Sequence, residues 1–222
     1  MNSKSLKDVA KAILEMPYYK NYAASSGAVH NISKHEDALE ATFINNGYQK
    51  YNPVVKLKKK DMETPTFLSN MPNGTFICQP FGTHSSPDFY IKGPCGTVKA
   101  IEAKSADTYC PLYNSGGIKR GVLYVFCSKK TNTTTIYKGE DIMTREQQEL
   151  IDKHIADEKQ RVQILNERLK ALDSNERGIS FYPRPMIGQA GGAYFTNYMT
   201  HKNRQRDEQR AIDELAASTI ET

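Results

Sequence analysis

Residues 85–105, SSPDFYIKGPCGTVKAIEAKS, constrain the fold more than any other stretch. PDFYIKG has the apolar and aromatic content of a strand, GPCG is turn-rich, and TVKAIEAKS is strand-like again. The segment therefore reads as a hairpin. Side chains alternate across a strand, so Ile101 and Ala103 point towards the core while Glu102 and Lys104 share the opposite face. Pro87 fits the start of a strand, where its missing N–H does no harm. Asp88, Glu102 and Lys104 thus stand on strands that are otherwise apolar.

The flanking sequence extends this hairpin into a sheet. GVLYVFCS (121–128) is a near-continuous β-branched and aromatic run that suits a central strand. NTTTIYKG (132–139) suits its neighbour, with KKTN as the turn, and GTFICQPFG (74–82) reads as strand then turn. VVKLKKK (54–60) reads as a short strand or a basic loop.

Helices bracket these strands. Leu6, Val9, Ala10, Ile13 and Leu14 mark one face of a helix that Pro17 ends. A second helix spans 33–47, with Ser33 and Glu36 as a capping box and Gly47 where a C-terminal cap belongs. Residues 144–173 hold no Pro or Gly and form a long helix. Ile151, Ile155, Val162, Leu165, Leu169 and Leu172 fall on heptad-like steps along it, open either to its own domain or to a coiled contact. A last helix has Ile212, Leu215, Ala216 and Ile220 on its buried face. The order predicts an α/β or α+β fold, a mixed sheet flanked by helices, with a core over 1–143 and a helical part over 144–222 packed with it.

A chain of 222 residues is long enough to bury a core without staples. Its hydrophobic fraction of 38% and charged fraction of 25% are those of a soluble globular protein. No run of 18 apolar residues exists, so no membrane span is expected, and the N-terminus reads as an amphipathic helix and not a signal peptide. Cytoplasmic placement and free thiols at Cys78, Cys95, Cys110 and Cys127 follow. No Cys or His residues cluster at zinc-ligand spacing. The net charge of +5 permits an anionic partner.

Two acids and a lysine on a hairpin fit one demanding chemistry. A phosphodiester repels hydroxide, and a divalent cation removes that obstacle by binding a phosphate oxygen and lowering the pKa of a bound water. Mg2+ takes oxygen ligands and keeps several waters, so one or two carboxylates suffice. Asp88 and Glu102 would bind it, with the Ala103 backbone carbonyl free at a strand end as a third oxygen. Lys104 would orient the attacking water and stabilise developing charge. Charged residues at solvated strand ends, or a buried ion pair, are the structural alternatives.

PD followed by IEAK resembles the PD-(D/E)xK motif of type II restriction endonucleases and related repair and recombination nucleases. Asp88 matches the motif's Asp, Glu102 its acidic position and Lys104 its Lys. The resemblance covers residues 86–105 and the helix–strand order around them. It implies a restriction-endonuclease-like mixed sheet, Mg2+ dependence with Mn2+ as a substitute, and cleavage leaving a 5′-phosphate. It also implies a helix Glu ahead of the metal strand. Glu40, mid-helix, is the candidate to reach the metal through water, because Glu36 is occupied by the capping box.

Recognition of DNA needs phosphate contacts for position and base contacts for sequence. Residues 182–210 supply Arg184, Lys202, Arg204, Arg206 and Arg210, with Gln189, Asn197, Asn203 and Gln205 as amides able to read adenine. Tyr194 and His201 stand among them. No Gly-Lys-Ser/Thr follows GQAGG, which excludes an NTPase phosphate loop. Asn114, Ser115, Lys119 and Arg120 follow the catalytic strand closely enough to contact DNA near the scissile phosphate. His30, His35 and His84 read as surface or DNA-contacting residues. The expectation is a Mg2+-dependent type II restriction endonuclease on a short double-stranded DNA site, acting as a homodimer. The alternatives are a structure-specific repair or recombination nuclease and a DNA-binding protein without catalysis.

Overall fold

In the computed structural model the 85–105 segment forms an antiparallel hairpin inside a six-stranded mixed sheet. The structure describes residues 3–19, 35–53, 57–58, 66–82, 85–114, 117–183, 185–188 and 198–217. The strands are β1 (Gln49–Lys50), β2 (Thr75–Cys78), β3 (Phe89–Lys92), β4 (Val98–Ala106), β5 (Leu112–Tyr113), β6 (Val122–Ser128), β7 (Thr133–Lys138) and β8 (Ile187–Gly188). The main sheet runs β1-β2-β3-β4-β6-β7, and β5 pairs with β8 separately. β4 pairs antiparallel with β3 and parallel with β6, and β7 returns antiparallel beside β6.

Helices α1 (Leu6–Leu14), α2 (His35–Asn45) and α6 (Arg204–Ala216) bury one face of this sheet. Ile101 and Ala103 of β4 lie there with Phe89, Leu123, Val125 and Ile136, as the alternation requires. The Ser5 hydroxyl caps α1 by accepting from the Asp8 N–H. Gly47 ends α2 at φ 86°, a left-handed conformation that a Cβ would strain. The opposite face carries a second core of Tyr113, Tyr124, Phe126 and Tyr137 with Met143 and Met199. Short helices α3 (Phe67–Asn70) and α4 (Gly139–Ile142) complete the described body. The four cysteines are free thiols. Among the described residues no helix is long and apolar enough to cross a membrane.

The long helix α5 (Arg145–Ala171) starts at a capping box between Thr144 and Gln147. Its 27 residues make a rod about 40 Å long, and none of them is buried. Ile151 reaches the second core, and beyond it the helix is partly covered on Ile155, Glu158, Val162, Asn166 and Leu169. This stripe departs from the expected seam, because Leu165 and Leu172 face outward and Leu172 is 80% exposed. Polar anchors explain the change. The Asn166 amide donates to the Phe181 carbonyl and accepts its N–H at 3.0 and 2.7 Å, so residues 174–183 return along the helix. The Asp173 carboxylate accepts the N–H groups of Arg177 and Gly178 at the turn. Ser33, Ile220 and most of 54–60 lie outside the described residues.

Asn166→Ala should release the return segment without unfolding the sheet. Hydrogen exchange should quicken at Phe181 while β4 and β6 stay protected, and unchanged exchange at Phe181 would contradict this anchoring.

Candidate active site

β4 outruns β3 at one end of the sheet. The last β3–β4 pair is Phe89 with Ile101, so Ala103 has no β3 partner. The side chain of Asp88, just before β3, takes that place: its Oδ2 accepts the Ala103 N–H at 2.8 Å. In a strand the N–H and C=O of one residue point to the same side, so the Ala103 carbonyl also faces Asp88. Glu102 and Lys104 lie on the opposite sheet face from Ala103, beside Tyr124 and Phe126 of β6.

Glu102 is 3% exposed. Its Oε1 accepts from Lys104 Nζ at 2.7 Å, whereas its Oε2 is buried with no hydrogen-bond partner. A buried carboxylate oxygen without a partner is costly, and a cation relieves it. Burial pushes the Asp88 carboxyl up to about 7, and the Glu102 charge pushes the same way. The Ala103 N–H and Lys104 oppose that rise, and Glu36 adds to it. Two crowded carboxylates, one open oxygen and an adjacent carbonyl fit a hard divalent cation. Among the described residues no three His, Cys, Asp or Glu side chains converge on one point, so protein oxygens would fill only part of the shell. Mg2+ commonly keeps several waters in that way.

The other expected site residues divide. Glu40 is held by Lys50, whose Nζ stands 2.9–3.0 Å from both carboxylate oxygens. Glu36, assigned to a capping box from the sequence, is the helix carboxylate whose charge bears on Asp88. The two acids stand one turn apart on the same face of α2, and the Lys50 pairing that takes Glu40 comes from β1. His35 is not a surface residue as expected: it is 2% exposed, with both ring nitrogens unpartnered. Burial, with the Lys104 charge, pushes its pKa down to about 4.

Lys119 and Arg120 come close to the cluster, lining a hollow with Pro87 and Ala100. The loop is held in two ways. The Lys119 N–H donates to the Tyr124 hydroxyl at 2.7 Å, and a Cβ on Gly139 would collide with the Lys119 carbonyl. Asn114 follows β5, half-buried. Arg204 and Arg206 stand apart, on a helix packed against β7, two strands from β4. Arg204 donates to Glu208 and the Met199 carbonyl, and Arg206 donates twice to Asp207. Arg210 pairs with Asp141 at 2.8 Å. His201 Nδ1 accepts the Asn203 N–H just before α6. Ser115, Arg184, Gln189, Tyr194, Asn197, His30 and His84 lie outside the described residues.

No family model, curated protein or solved structure matches the chain.

Asp88 gives the metal-free protein a pH signature. Its folded pKa of about 7 exceeds its ordinary 3.8, so folding favours the protonated form. Its stabilising contribution is therefore full below about 4 and is lost as pH rises towards 7. His35 acts oppositely, losing stability as pH falls from 6.5 towards 4. The difference between wild type and Asp88→Asn isolates Asp88. In thermal melts the variant should gain on wild type between pH 5 and pH 8, and a gap that does not vary with pH would contradict this environment.

Proposed function

We propose that this chain is a Mg2+-dependent endodeoxyribonuclease with a restriction-endonuclease-like fold. The observation that carries the reading is the juxtaposition of Asp88, Glu102 and Lys104, with Glu102 Oε2 buried and unpartnered. The mixed sheet supports it as well, since the acid-bearing hairpin is followed by a parallel strand and α2 precedes it. Asp88, Glu102 and the Ala103 carbonyl would hold Mg2+, with Mn2+ able to substitute. When bound, the cation supplies charge for a phosphate oxygen and lowers the pKa of a coordinated water.

The chain's own groups do the rest. Lys104 Nζ lies 2.7 Å from Glu102 Oε1 on the same sheet face, and its charge is placed to orient a water and to balance charge developing on the phosphate. Asp88 serves as a ligand only after losing its proton, which its raised pKa delays towards pH 7. Burial of Glu102 beside Tyr124 keeps bulk water from the pair and strengthens its electrostatics.

The finer reading is a type II restriction endonuclease working as a homodimer. Exposed Leu150, Ile164 and Leu165 on α5, with Leu172 at its C-cap, support a contact between copies. The structure-specific nuclease is the second reading. It is favoured by the internal pairing of Arg204 and Arg206, which leaves those two side chains less able to read a duplex.

Plasmid cleavage in Mg2+ tests the proposal. Asp88→Asn and Glu102→Gln should abolish cleavage with the fold retained, and Lys104→Ala should slow it on the order of 100-fold or more. Activity within threefold of wild type in any of these variants would overturn the catalytic assignment. Discrete fragments would favour the restriction reading over the structure-specific one. Sedimentation on DNA should give two chains per duplex, and a one-to-one complex would remove the dimer.

A further inference from the structure

The hollow beside the acidic cluster has a chemistry of its own. Its volume is about 330 Å³, at the small end for ligand sites of about 300–1,000 Å³. Tyr90, Ala100 and Val122, register neighbours on one sheet face, give it an apolar floor, and Pro87, Lys119 and Arg120 also line it. The Tyr90 ring packs edge-to-face with Phe67 and Phe81, with centroids 5.6 and 6.3 Å away. Ser86, also in the wall, is buried with its hydroxyl unpartnered.

Position ties this hollow to the cluster. Ala100 precedes Glu102 by two residues on β4, which puts it on the same face about 7 Å away. Pro87 is the residue next to Asp88. A group seated in the hollow therefore lies one short step from whatever Asp88 and Glu102 hold. Its apolar floor suits a flat ring, and its two lining cations suit an anion. Together these are the two halves of a nucleotide.

We propose that the hollow is a nucleotide subsite, which receives the base adjoining the scissile phosphate while Lys119 and Arg120 hold the neighbouring phosphate. This rests on the nuclease reading for its place in the reaction. It also narrows the substrate class. A base stacked within a duplex cannot enter a hollow of this size, so the nucleotide must first leave the stack. The substrate is DNA whose nucleotide next to the cut is unstacked, by flipping or because it is already single-stranded.

The test uses deoxyadenosine monophosphate as the probe, with inorganic phosphate as the control, on the full chain followed by nitrogen-15 NMR. The nucleotide should shift the amides of Tyr90, Ala100, Gly121 and Val122 and bind at least fivefold tighter than phosphate. Ala100→Phe fills the floor and should lose nucleotide binding at least tenfold while keeping Mn2+ binding. Tyr90→Ala removes the platform without adding bulk and should lose at least fivefold. Equal affinity for phosphate and nucleotide, or full nucleotide binding in both variants, would overturn the subsite. Nucleotide binding in the hollow of a protein that cuts no DNA would uphold the subsite and defeat the nuclease reading. DNA cleavage with no shift at these amides would do the reverse.

Discussion

The Asp88 side chain does the work of a missing strand residue. Beyond Phe89 the β3 ladder has ended, and the Ala103 N–H would be left open at the sheet end. By accepting that N–H at 2.8 Å, Asp88 brings its carboxylate beside Glu102. Burial raises the Asp88 pKa, the Glu102 and Glu36 charges add to that rise, and the Ala103 N–H and Lys104 oppose it. A backbone hydrogen bond thus fixes an arrangement that electrostatics alone opposes. Such opposition, held in place by the fold, is how sites with perturbed carboxylates arise.

The two cores hold this end of the sheet from either side. Behind it, Ile101 and Ala103 anchor β4 against α1, α2 and the adjoining strands. In front, Tyr113, Tyr124 and Tyr137 form a stacked and hydrogen-bonded cluster, with the Tyr113 and Tyr137 hydroxyls 2.8 Å apart. Tyr124 joins this cluster to the site. Its ring lies beside Glu102 on the neighbouring strand, and its hydroxyl holds the Lys119 loop. One side chain therefore adjoins Glu102 and holds the loop that lines the hollow. Gly139 allows the same loop to pass close by.

The hairpin was legible in the sequence because a period of two residues sorts Glu102 and Lys104 from Ile101 and Ala103 without any tertiary knowledge. The ends of α1 and α2 were legible for a similar local reason, since Pro17 and Gly47 act within one turn. Properties set by packing were not. Glu36 and Glu40 are indistinguishable until α2 meets the sheet, and His35 is buried by the same event. On α5 the apolar pattern favoured Leu165 and Leu172, but Asn166 and Asp173 decide which side the chain returns on. The arginines of α6 looked available for DNA. Glu208 follows Arg204 by four residues, the spacing at which helix side chains meet, whereas the Arg206–Asp207 pair joins adjacent residues and no such spacing marks it.

The proposed chemistry depends on a divalent cation held between Asp88 and Glu102. Mn2+ titration of the metal-free protein at pH 8, followed by loss of the free-ion electron paramagnetic resonance signal, measures that directly and needs no substrate. Saturable binding should appear in wild type and in Glu40→Gln, and should weaken at least tenfold in both Asp88→Asn and Glu102→Gln. Equal Mn2+ binding in wild type and in those two variants would show that the paired carboxylates are a structural feature of the sheet end and nothing more.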